Sequence, residues 1–395
     1  MNDVNELNQC YTPLLAIEEA ARCLLCNDAP CSQSCPAGTD PGKFIRSLRF
    51  RNLKGAIETI RTNNILGGVC SRVCPTEKYC QLACSRTSID RPIEIGKLQQ
   101  FLIDYEKTIN FNPLKAVEIT KEKIAIIGSG PSSLAASSEL AKKGYNVTVF
   151  EKKEKIGGWL RYGIPSFRLG EDILDYEISL IKNLGVTFIT NCEFNKDITI
   201  ESLEKDGFKV ILIGTGYDLG RTLPLFDNCN KVENAVDFLS RIKNSNNNLK
   251  IEDNILIIGG GDVAIDAATS AKLLGAKNVK VIARETMEEF PASEGELKNA
   301  RNLKISIFDG FTPTDYSNNK VTFINNTNET ITILPDKIIL AIGQIASLPQ
   351  DILNIKKKNI FFAGDISEGD KTVVYAVKTG KDAAEKIIEF LGGDR

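Results

Sequence analysis

The most informative absence in this chain of 395 residues is histidine, of which there is none. Without an imidazole, no step can use histidine as a general acid, a general base or a metal ligand. A Cys/His zinc site and a Ser-His-Asp triad are therefore both excluded. The chain also lacks any apolar run near the ~18 residues that span a bilayer, so we expect no membrane insertion.

Excess charge of either sign is lacking as well, because 49 Lys and Arg stand against 51 Asp and Glu, a net charge of −2. Phosphate binding needs a clustered excess of Lys and Arg, so nucleic acid is not the expected partner. Residues 1–10 lack the charged-then-apolar pattern of a secretory signal, which predicts a cytoplasmic location. In that reducing compartment, clustered cysteines are expected to be metal ligands rather than disulfides.

Nine of the eleven cysteines lie between Cys10 and Cys84. They include two runs, Cys23-x2-Cys26-x4-Cys31-x3-Cys35-Pro36 and Cys70-x3-Cys74-Pro75 followed by Cys80-x3-Cys84. Closely spaced thiolates suit iron–sulfur clusters, and a Cys-Pro ending is typical of bacterial ferredoxins. These eight cysteines suffice for two 4Fe-4S clusters. Zinc sites or buried free thiols are the alternatives, although the spacing is irregular for zinc ribbons. The isolated Cys10, Cys192 and Cys229 are expected to be ordinary thiols.

A glycine-rich loop follows the apolar segment Lys123–Ile127 and precedes a predicted helix over 131–143. Its sequence is Gly128-Ser129-Gly130-Pro131-Ser132-Ser133, in which Gly128 allows a tight turn and Gly130 lets a pyrophosphate approach the helix N-terminus. The third position is usually Gly or Ala, and Ser133 is expected to loosen the packing of strand and helix. Glu151 ends the next predicted strand, 147–151, where a carboxylate would bind a ribose diol.

A second loop, Gly259-Gly260-Gly261-Asp262-Val263-Ala264, fits the pattern G-x-G-x-x-A between a strand at Asn254–Ile258 and a helix over 262–274. The following strand, 279–283, leads into Arg284 and Glu285. Arg284 could bind the 2′-phosphate of NADP, but Glu285 would repel it and bond free ribose hydroxyls, which favours NADH. Alternatively, Glu285 is only a solvated surface charge. The two strand–helix–strand units predict an α/β fold with parallel sheets.

Helices are predicted in the cysteine-rich part at 14–21, 42–51 and Leu53–Asn63, a polar loop at 244–250, a strand at 359–365 and a closing helix at 372–391. With these residues in view, the chain resembles the family of flavin and iron–sulfur subunits typified by the small subunit of glutamate synthase. Within it, the chain is most similar to the NAD-dependent subunits of bacterial dihydropyrimidine dehydrogenases. The segments that carry the resemblance are 23–40, 73–84, Gly157-Gly158-Trp159-Leu160, 163–169, 289–293 and 363–377.

The resemblance implies a helical domain with two Fe–S clusters (1–118), an FAD domain in two parts (119–228 and 341–395), and an NAD domain (229–340) inserted into it, both Rossmann-like. The residues implied to contact FAD are Gly128, Gly130, Glu151, Gly158, Leu160, Arg168, Gly364 and Asp365, with Thr372, Val373 and Val374 opening a helix aimed at the isoalloxazine. The residues implied to hold NADH are Gly259, Gly261, Asp262, Val263, Ala264, Arg284 and Glu285.

The same resemblance implies the cluster ligands. Cys23, Cys26, Cys31 and Cys84 would bind one 4Fe-4S cluster, and Cys35, Cys74, Cys80 and Gln99 the other. Composition alone would choose Cys70 over Gln99, so both remain candidates. A neutral amide in place of a thiolate should shift the potential of that cluster.

The implied function is electron input, in which NADH reduces FAD and the clusters pass electrons to an FMN- and Fe–S-containing partner subunit that reduces uracil or thymine. No catalytic acid is then expected in this chain. The alternatives are a glutamate synthase small subunit or related NAD(P)H–ferredoxin oxidoreductase, a disulfide reductase like thioredoxin reductase, and a non-catalytic metal-binding scaffold. A disulfide reductase would need a C-x-x-C in the second nucleotide domain, where the sequence has none.

Overall fold

The computed structural model describes residues 10–227, 229–245 and 248–393. The helices are α1 (Pro13–Ala21), α2 (Pro30–Gln33), α3 (Pro41–Arg49), α4 (Leu53–Asn63), α5 (Gly67–Val73), α6 (Ile95–Thr108), α7 (Pro131–Lys142), α8 (Trp159–Tyr162), α9 (Glu171–Asn183), α10 (Ile200–Lys205), α11 (Ala235–Asn244), α12 (Asp262–Leu273), α13 (Glu294–Asn302), α14 (Gln350–Leu353) and α15 (Val373–Phe390).

The strands are β1 (Lys123–Ile127), β2 (Asn146–Phe150), β3 (Thr187–Ile189), β4 (Val210–Ile213), β5 (Leu219–Gly220), β6 (Val232–Asn234), β7 (Asn254–Ile258), β8 (Asn278–Ile282), β9 (Ser306–Phe308), β10 (Phe311–Ser317), β11 (Lys320–Asn325), β12 (Thr330–Ile333), β13 (Lys337–Leu340), β14 (Gln344–Ile345) and β15 (Ile360–Phe362). Among the described residues, no helix has both the length and the apolar character that crossing a membrane requires.

The described residues divide into two compact units. The first comprises 10–161, 167–216 and 348–393, and the second comprises 162–166 together with the described part of 217–347. The first unit is thus discontinuous in the chain, as expected if one nucleotide-binding domain is inserted into another. The boundary predicted between 118 and 119 lies inside the first unit and stays a prediction. Residue 228, the other predicted boundary, and residues 246–247 of the predicted polar loop lie outside the described residues.

The N-terminal part of the first unit is helical, and local sequence explains where its helices begin. Helix α3 starts at Pro41, whose fixed φ suits a first turn, and the Asp40 side chain accepts a hydrogen bond from the Lys43 amide. Its apolar residues recur at helical spacing, so that Phe44, Ile45 and Leu48 are buried. The helices predicted from this pattern are confirmed as α1, α3 and α4, the last with the predicted bounds.

The remainder of the first unit is built on a parallel five-stranded sheet of order β15-β4-β1-β2-β3. Helix α7 connects the central strands β1 and β2, and α15 packs on α7 so closely that a Cβ at Gly380 would lie 2.1 Å from the Ser132 carbonyl oxygen. The predicted strand at 359–365 is shorter in the structure. Gly364 adopts φ +81° and turns the chain into a 3-10 helix over Gly364–Ile366, so the strand ends at Phe362.

The second unit repeats this arrangement with a parallel sheet of order β6-β13-β7-β8-β9. Helix α12 connects β7 and β8, as the second glycine motif predicts. An antiparallel sheet, β10-β11-β12, contributes Val321 and Phe323 to a core that also contains Leu256, Ile258 and Ile338. The α/β class and its parallel sheets are therefore confirmed. The predicted strands 147–151 and 279–283 each begin and end one residue earlier in the structure.

Candidate functional site

The first glycine loop leaves the carboxyl end of β1 in a conformation that needs glycine. Gly128 adopts φ +90°, and its amide donates to the Phe150 carbonyl oxygen at 2.7 Å. A Cβ there would lie 2.7 Å from the Gly214 carbonyl oxygen. At Gly130, in contrast, a Cβ would meet no atom of the described chain within 4 Å. Gly130 caps α7, so the amino end of this helix faces open space, as an anion site requires.

Glu151 is fixed beside this loop. Its side chain is 6% exposed, and one carboxylate oxygen accepts hydrogen bonds from the Ser129 amide at 2.9 Å and the Ser129 hydroxyl at 2.6 Å. The other oxygen accepts from the Lys153 amide at 2.9 Å. The carboxylate is therefore held at the end of β2 by the loop itself, and remaining lone pairs can accept from a ribose diol.

The expectation that Ser133 loosens the packing of strand and helix stays a prediction, although the residue is well accommodated. The side chain is fully buried, and its hydroxyl donates to the Gly214 carbonyl oxygen at 3.4 Å. This bond joins α7 to the segment after β4, where a small apolar side chain would make none. Serine is accommodated because its one donor has a buried acceptor within reach.

Thr215 is a candidate residue that the sequence reasoning missed. It follows β4, and its Cα lies 3.1 Å from the position that a Cβ on Gly128 would take. Its hydroxyl oxygen is buried without a hydrogen-bond partner among the residues that the structure describes. A buried hydroxyl without a partner beside an open helix N-terminus fits a bound phosphate. The sequence feature that could have indicated this residue is Gly-Thr-Gly directly after β4, a strand that is buried throughout.

Two glycines that are distant in sequence, Gly158 and Gly364, also lie at the start of α7. A Cβ on Gly158 would lie 2.8 Å from the Gly130 Cα, and one on Gly364 would lie 2.7 Å from the Ser132 hydroxyl oxygen. The Gly364 amide donates to the Thr379 hydroxyl at 2.9 Å, which ties the 3-10 helix to α15. These close approaches gather the glycines predicted for FAD around the start of α7.

The other residues predicted for FAD are placed as follows. Burial raises the pKa of Asp365, with Lys371 opposing the shift. Thr372 caps α15 by accepting a hydrogen bond from the Tyr375 amide. Leu160 is fully buried and Arg168 partly buried. The roles of these residues at the site stay predictions.

The second glycine loop has the same design. Gly259 adopts φ +136°, and a Cβ there would lie 2.2 Å from the Ala341 carbonyl oxygen, whereas one on Gly261 would meet nothing within 4 Å. The Asp262 carboxylate accepts from the Ser293 amide at 2.8 Å, and the Ala292 amide donates to the Gly260 carbonyl at 3.1 Å. Val263 and the fully buried Ala264 continue into α12. The segment 289–293 is thereby held against the loop.

The acid predicted to choose NADH lies beside this loop. A Cβ on Gly260 would be 3.2 Å from a carboxylate oxygen of Glu285, and the Arg284 guanidinium donates to the other oxygen at 2.8 Å. The Glu285 side chain is 27% exposed, against 79% for Arg284. Glu285 is therefore positioned at the loop rather than extended into solvent. Its role in choosing the nucleotide stays a prediction.

Four cysteines line one partly enclosed cavity, and we call them the first cysteine group: Cys23, Cys26, Cys31 and Cys84. Aliphatic side chains including Ile45 and Ile93 complete the lining. The Cys26 sulfur lies 3.4 Å from the Ser85 hydroxyl oxygen. Burial raises the pKa of Cys31 to about 11, with the thiols of Cys84 and Cys23 adding to the shift. The structure thus brings together the four residues that the resemblance assigned to one cluster.

The remaining cysteines of the two runs are neighbours, and we call them the second cysteine group: Cys35, Cys70, Cys74 and Cys80. Cys70 and Cys80 are 4% and 6% exposed. Burial raises the pKa of Cys70 to about 12. It raises the pKa of Cys74 well above its usual value, with Cys70, Cys80 and Cys35 contributing. Thiols in such surroundings are neutral until a metal deprotonates them.

Gln99 is buried near the start of α5, the helix that carries Cys70 and leads into Cys74. Its amide nitrogen donates to the Gly67 carbonyl oxygen at 2.5 Å. This bond assigns the nitrogen to the backbone and leaves the amide oxygen as the atom that could ligate iron. Gln99 and Cys70 both remain candidates for the fourth ligand.

Among the described residues, no three Cys, Asp or Glu side chains converge closely enough to hold a single metal ion. A zinc site needs every sulfur about 2.3 Å from one ion. All eleven cysteines are free thiols. Four thiols spread around a cavity instead fit a multi-iron cluster, in which each thiolate binds a different iron.

A buried ion network lies beside the second cysteine group. Arg61, with no exposed surface, pairs with Glu106 at 2.7 Å and with Glu177, a residue of α9. The Glu177 carboxylate also accepts from the amides of Gly68 at 2.6 Å and Val69 at 3.0 Å, in the first turn of α5. The network therefore connects the helix of Cys70 to the nucleotide-binding part of the same unit.

Comparison with known proteins gives the family. Residues 1–111 match the family described as dihydropyrimidine dehydrogenase domain II, 4Fe-4S cluster, and residues 122–380 match pyridine nucleotide-disulphide oxidoreductase. The chain is 52% identical over 406 aligned residues to the NAD-dependent dihydropyrimidine dehydrogenase subunit PreT of Escherichia coli O157:H7, covering 99% of this chain and 98% of that protein. This chain belongs to the PreT family. A PreT homolog of Salmonella typhi is 49% identical over the same share of both chains.

Solved structures share the fold of this PreT-family chain. A 2-naphthoyl-CoA reductase complex matches 88% of it with a TM-score of 0.60 and 19% identity, and the chain spans 49% of that protein. FprA of Mycobacterium tuberculosis matches 69% with a TM-score of 0.59 and 16% identity, over 85% of its own length. The predicted order of an Fe–S domain and a pyridine-nucleotide oxidoreductase domain is confirmed, whereas the individual ligands and the number of clusters stay predictions.

Proposed function

We propose that this chain is the NADH-oxidising input subunit of a cytoplasmic dihydropyrimidine dehydrogenase. It takes hydride from NADH and supplies single electrons, through two 4Fe-4S clusters, to a partner subunit containing FMN and Fe–S clusters that reduces uracil or thymine. The observation that carries the proposal is the 52% identity to a PreT subunit over 99% of this chain. The match covers 99% of this chain, so it includes the segments that carry both nucleotide loops and both cysteine groups.

The first unit is suited to hold FAD. The start of α7, with the open space at Gly130, would hold the pyrophosphate, and the Thr215 hydroxyl would donate to it. Glu151 would accept from the ribose hydroxyls. FAD, when bound, accepts a hydride and releases its two electrons singly, which a nicotinamide cannot do.

The second unit is suited to hold NADH. Gly261 and the start of α12 would take the pyrophosphate, and the Glu285 carboxylate would accept from the free ribose hydroxyls and repel a 2′-phosphate. We expect Glu285→Arg to raise the ratio of kcat/KM for NADPH to that for NADH. Glu288→Arg, an equal charge change at an exposed acid of the same loop, should leave the ratio unchanged. An unchanged ratio in Glu285→Arg would contradict this role.

The overall reaction balances without an acid in this chain. NADH and one proton supply two electrons and two hydrogens to the pyrimidine double bond, which leaves NAD+ and the dihydropyrimidine. The pyrimidine and its proton donor would both lie in the partner. The absence of histidine from this chain agrees with that division, since the chain has no side chain that titrates near neutral pH unless its pKa is perturbed.

The deciding experiment is an anaerobic assay of the chain with its co-purifying partner. NADH oxidation is followed with uracil and, separately, with 2-oxoglutarate plus glutamine. Oxidation that depends on uracil, with dihydrouracil as product, is the expected result. Formation of glutamate would overturn the proposal in favour of a glutamate synthase small subunit. Oxidation only with an artificial dye acceptor would refute the pyrimidine partner and leave the input role.

A further inference from the structure

Tyr79 is hydrogen-bonded to residues directly before α15. It belongs to the Fe–S part, the described residues 10–111 that match the 4Fe-4S family. Its hydroxyl donates to the Asp370 carboxylate at 2.7 Å and lies 3.3 Å from the Thr372 hydroxyl. Tyr79 lies in the segment between Cys74 and Cys80, two members of the second cysteine group. Asp370 and Thr372 are almost three hundred positions later in the chain, so the tie is made by the tertiary fold.

The direction of each bond follows from counting donors. Tyr79 has one hydroxyl proton, and only a donor can satisfy the Asp370 carboxylate, so that proton goes to Asp370. The Thr372 oxygen accepts from the Tyr375 amide at 3.4 Å as the cap of α15. The Thr372 proton therefore goes to the Tyr79 oxygen. The three side chains form one ordered chain of bonds, from the helix cap through the phenol to the carboxylate.

The backbone of Tyr79 also belongs to the turn that contains Cys80, a member of the second cysteine group. The phenol of a tyrosine keeps its proton at neutral pH, so Tyr79 can donate to Asp370. The Tyr79 backbone carbonyl accepts from the Ala83 amide at 3.1 Å, which closes the turn that contains Cys80. A displacement of the ring would therefore move the turn that carries a predicted cluster ligand.

Farther along, α15 contacts the other side of the same group. The Lys381 ammonium donates to the Ala37 carbonyl oxygen at 2.8 Å and the Asn63 carbonyl oxygen at 2.7 Å. Ala37 is two residues from Cys35, and Asn63 precedes Asn64, whose side chain interacts with the Cys70 thiol. Helix α15 is thus attached at two places to the loops that hold the second cysteine group.

We propose that Tyr79 is a positioning residue that holds the second cysteine group at a fixed distance from the amino end of α15. The consequence for electron transfer rests on the proposed function and on the family resemblance, which implies that residues 372–374 open a helix aimed at the isoalloxazine. Tyr79 then sets the separation between the flavin and the second cluster without touching either. A tyrosine suits this role because its rigid ring spans the gap and its hydroxyl both donates and accepts.

The test compares Tyr79→Phe with Tyr11→Phe in the holoenzyme. Tyr11 is a matched control, since its hydroxyl also donates to a carboxylate of the Fe–S part, that of Glu94, at 2.6 Å. Hydrogen exchange is measured over residues 76–84 and 369–375. Flavin bleaching and the EPR signal of the reduced second cluster are followed separately after rapid anaerobic mixing with NADH. Asp370→Asn, an exposed surface change, serves as a second variant should Tyr79→Phe fold poorly.

In Tyr79→Phe we expect exchange in both segments to rise by about five- to thirty-fold, the change that corresponds to the loss of about 1–2 kcal/mol of hydrogen bonding. Flavin bleaching should keep its rate, while reduction of the second cluster slows several-fold. Tyr11→Phe should change none of these. Unchanged exchange would show that the Tyr79 hydrogen bonds do not hold the two segments together. Raised exchange with unchanged cluster reduction would overturn the positioning role. A wild-type flavin that NADH does not bleach would instead refute the proposed function, and the exchange result would still decide the tie.

Discussion

The two cysteine groups are held by different parts of the chain. Every residue that lines the cavity of the first group lies between 23 and 95. The second group is held in addition by residues of the nucleotide-binding part, through Glu177 at the start of α5, Asp370 and Thr372 at Tyr79, and Lys381 at residues 37 and 63. A cluster at the second group would therefore be attached to the nucleotide-binding part, whereas the described residues that line the first cavity all belong to the Fe–S part.

Under the proposed function, this difference predicts the direction of electron transfer between the two groups. Electron input from a bound flavin would need a fixed geometry, and the contacts of the nucleotide-binding part would supply it at the second group. The members of the first group are all partly exposed, and its cavity includes Leu24, an apolar side chain that is 44% exposed. Under the proposed function, electrons pass from the flavin to the second group, then to the first, and from there to the partner.

The largest expected effect comes from breaking the buried network beside the second group. Arg61→Met would leave the carboxylates of Glu106 and Glu177 buried without their cation, and should lower the free energy of unfolding by about 3–5 kcal/mol. The measurement is urea unfolding, with iron content as a second readout. Iron should be lost from the second cluster before the first.

The matched change on the other side of the comparison is Arg86→Met. Arg86 lies two residues after Cys84, lines the first cavity and pairs with the exposed Asp90 at 2.8 Å; because this pair is open to solvent, its loss should change stability little. Equal losses in the two variants would show that the two groups depend equally on their surroundings, and would contradict the comparison.

The next effect concerns the fourth ligand of the second cluster. With its nitrogen bound to the Gly67 carbonyl, Gln99 presents its oxygen, so Gln99→Ala should abolish or alter the EPR signal of that cluster and leave the first unchanged. Cys70→Ala is the matched variant and should preserve both signals. The reverse pattern would make Cys70 the ligand and return the second group to an all-cysteine site.

A smaller effect is expected from charge alone. The Lys381 ammonium lies close enough to Cys35 to interact with it electrostatically, and a cation stabilises a cluster that gains an electron. Lys381→Met should lower the midpoint potential of the second cluster by up to about 60 mV, a tenfold change in the equilibrium constant for one electron. The measurement is an EPR redox titration. An equal shift in the first cluster, or none in either, would sink the idea.

The sequence predicted the features that arise from local pattern. Helix α4 has its predicted bounds because apolar spacing and a capping Asn52 define it, and both glycine loops lie where the strand–loop–helix pattern puts them. The grouping of Cys84 with Cys23 could not be read from spacing, because 60 residues separate them, and only the resemblance supplied it.

What the sequence could not provide was pairing over long separations. Arg61 and Glu177 are 116 positions apart, and Tyr79 and Asp370 are 291 apart. Each looks like an ordinary polar residue in its own segment, and its role depends on which partner the fold brings to it. Thr215 is different, since Gly-Thr-Gly after a buried strand was a local signal that could have been used.

The contacts of α15 with the second cysteine group also bear on the order in which the two sites form during synthesis. A ribosome releases the chain from its amino end, and domains fold as they emerge. All residues that line the first cavity precede α15 in the chain by more than 270 positions, so they are synthesised well before it. The contacts of Asp370, Thr372 and Lys381 with the segments around the second group can form only after α15 has been translated, so the surroundings of the first site should be complete before those of the second.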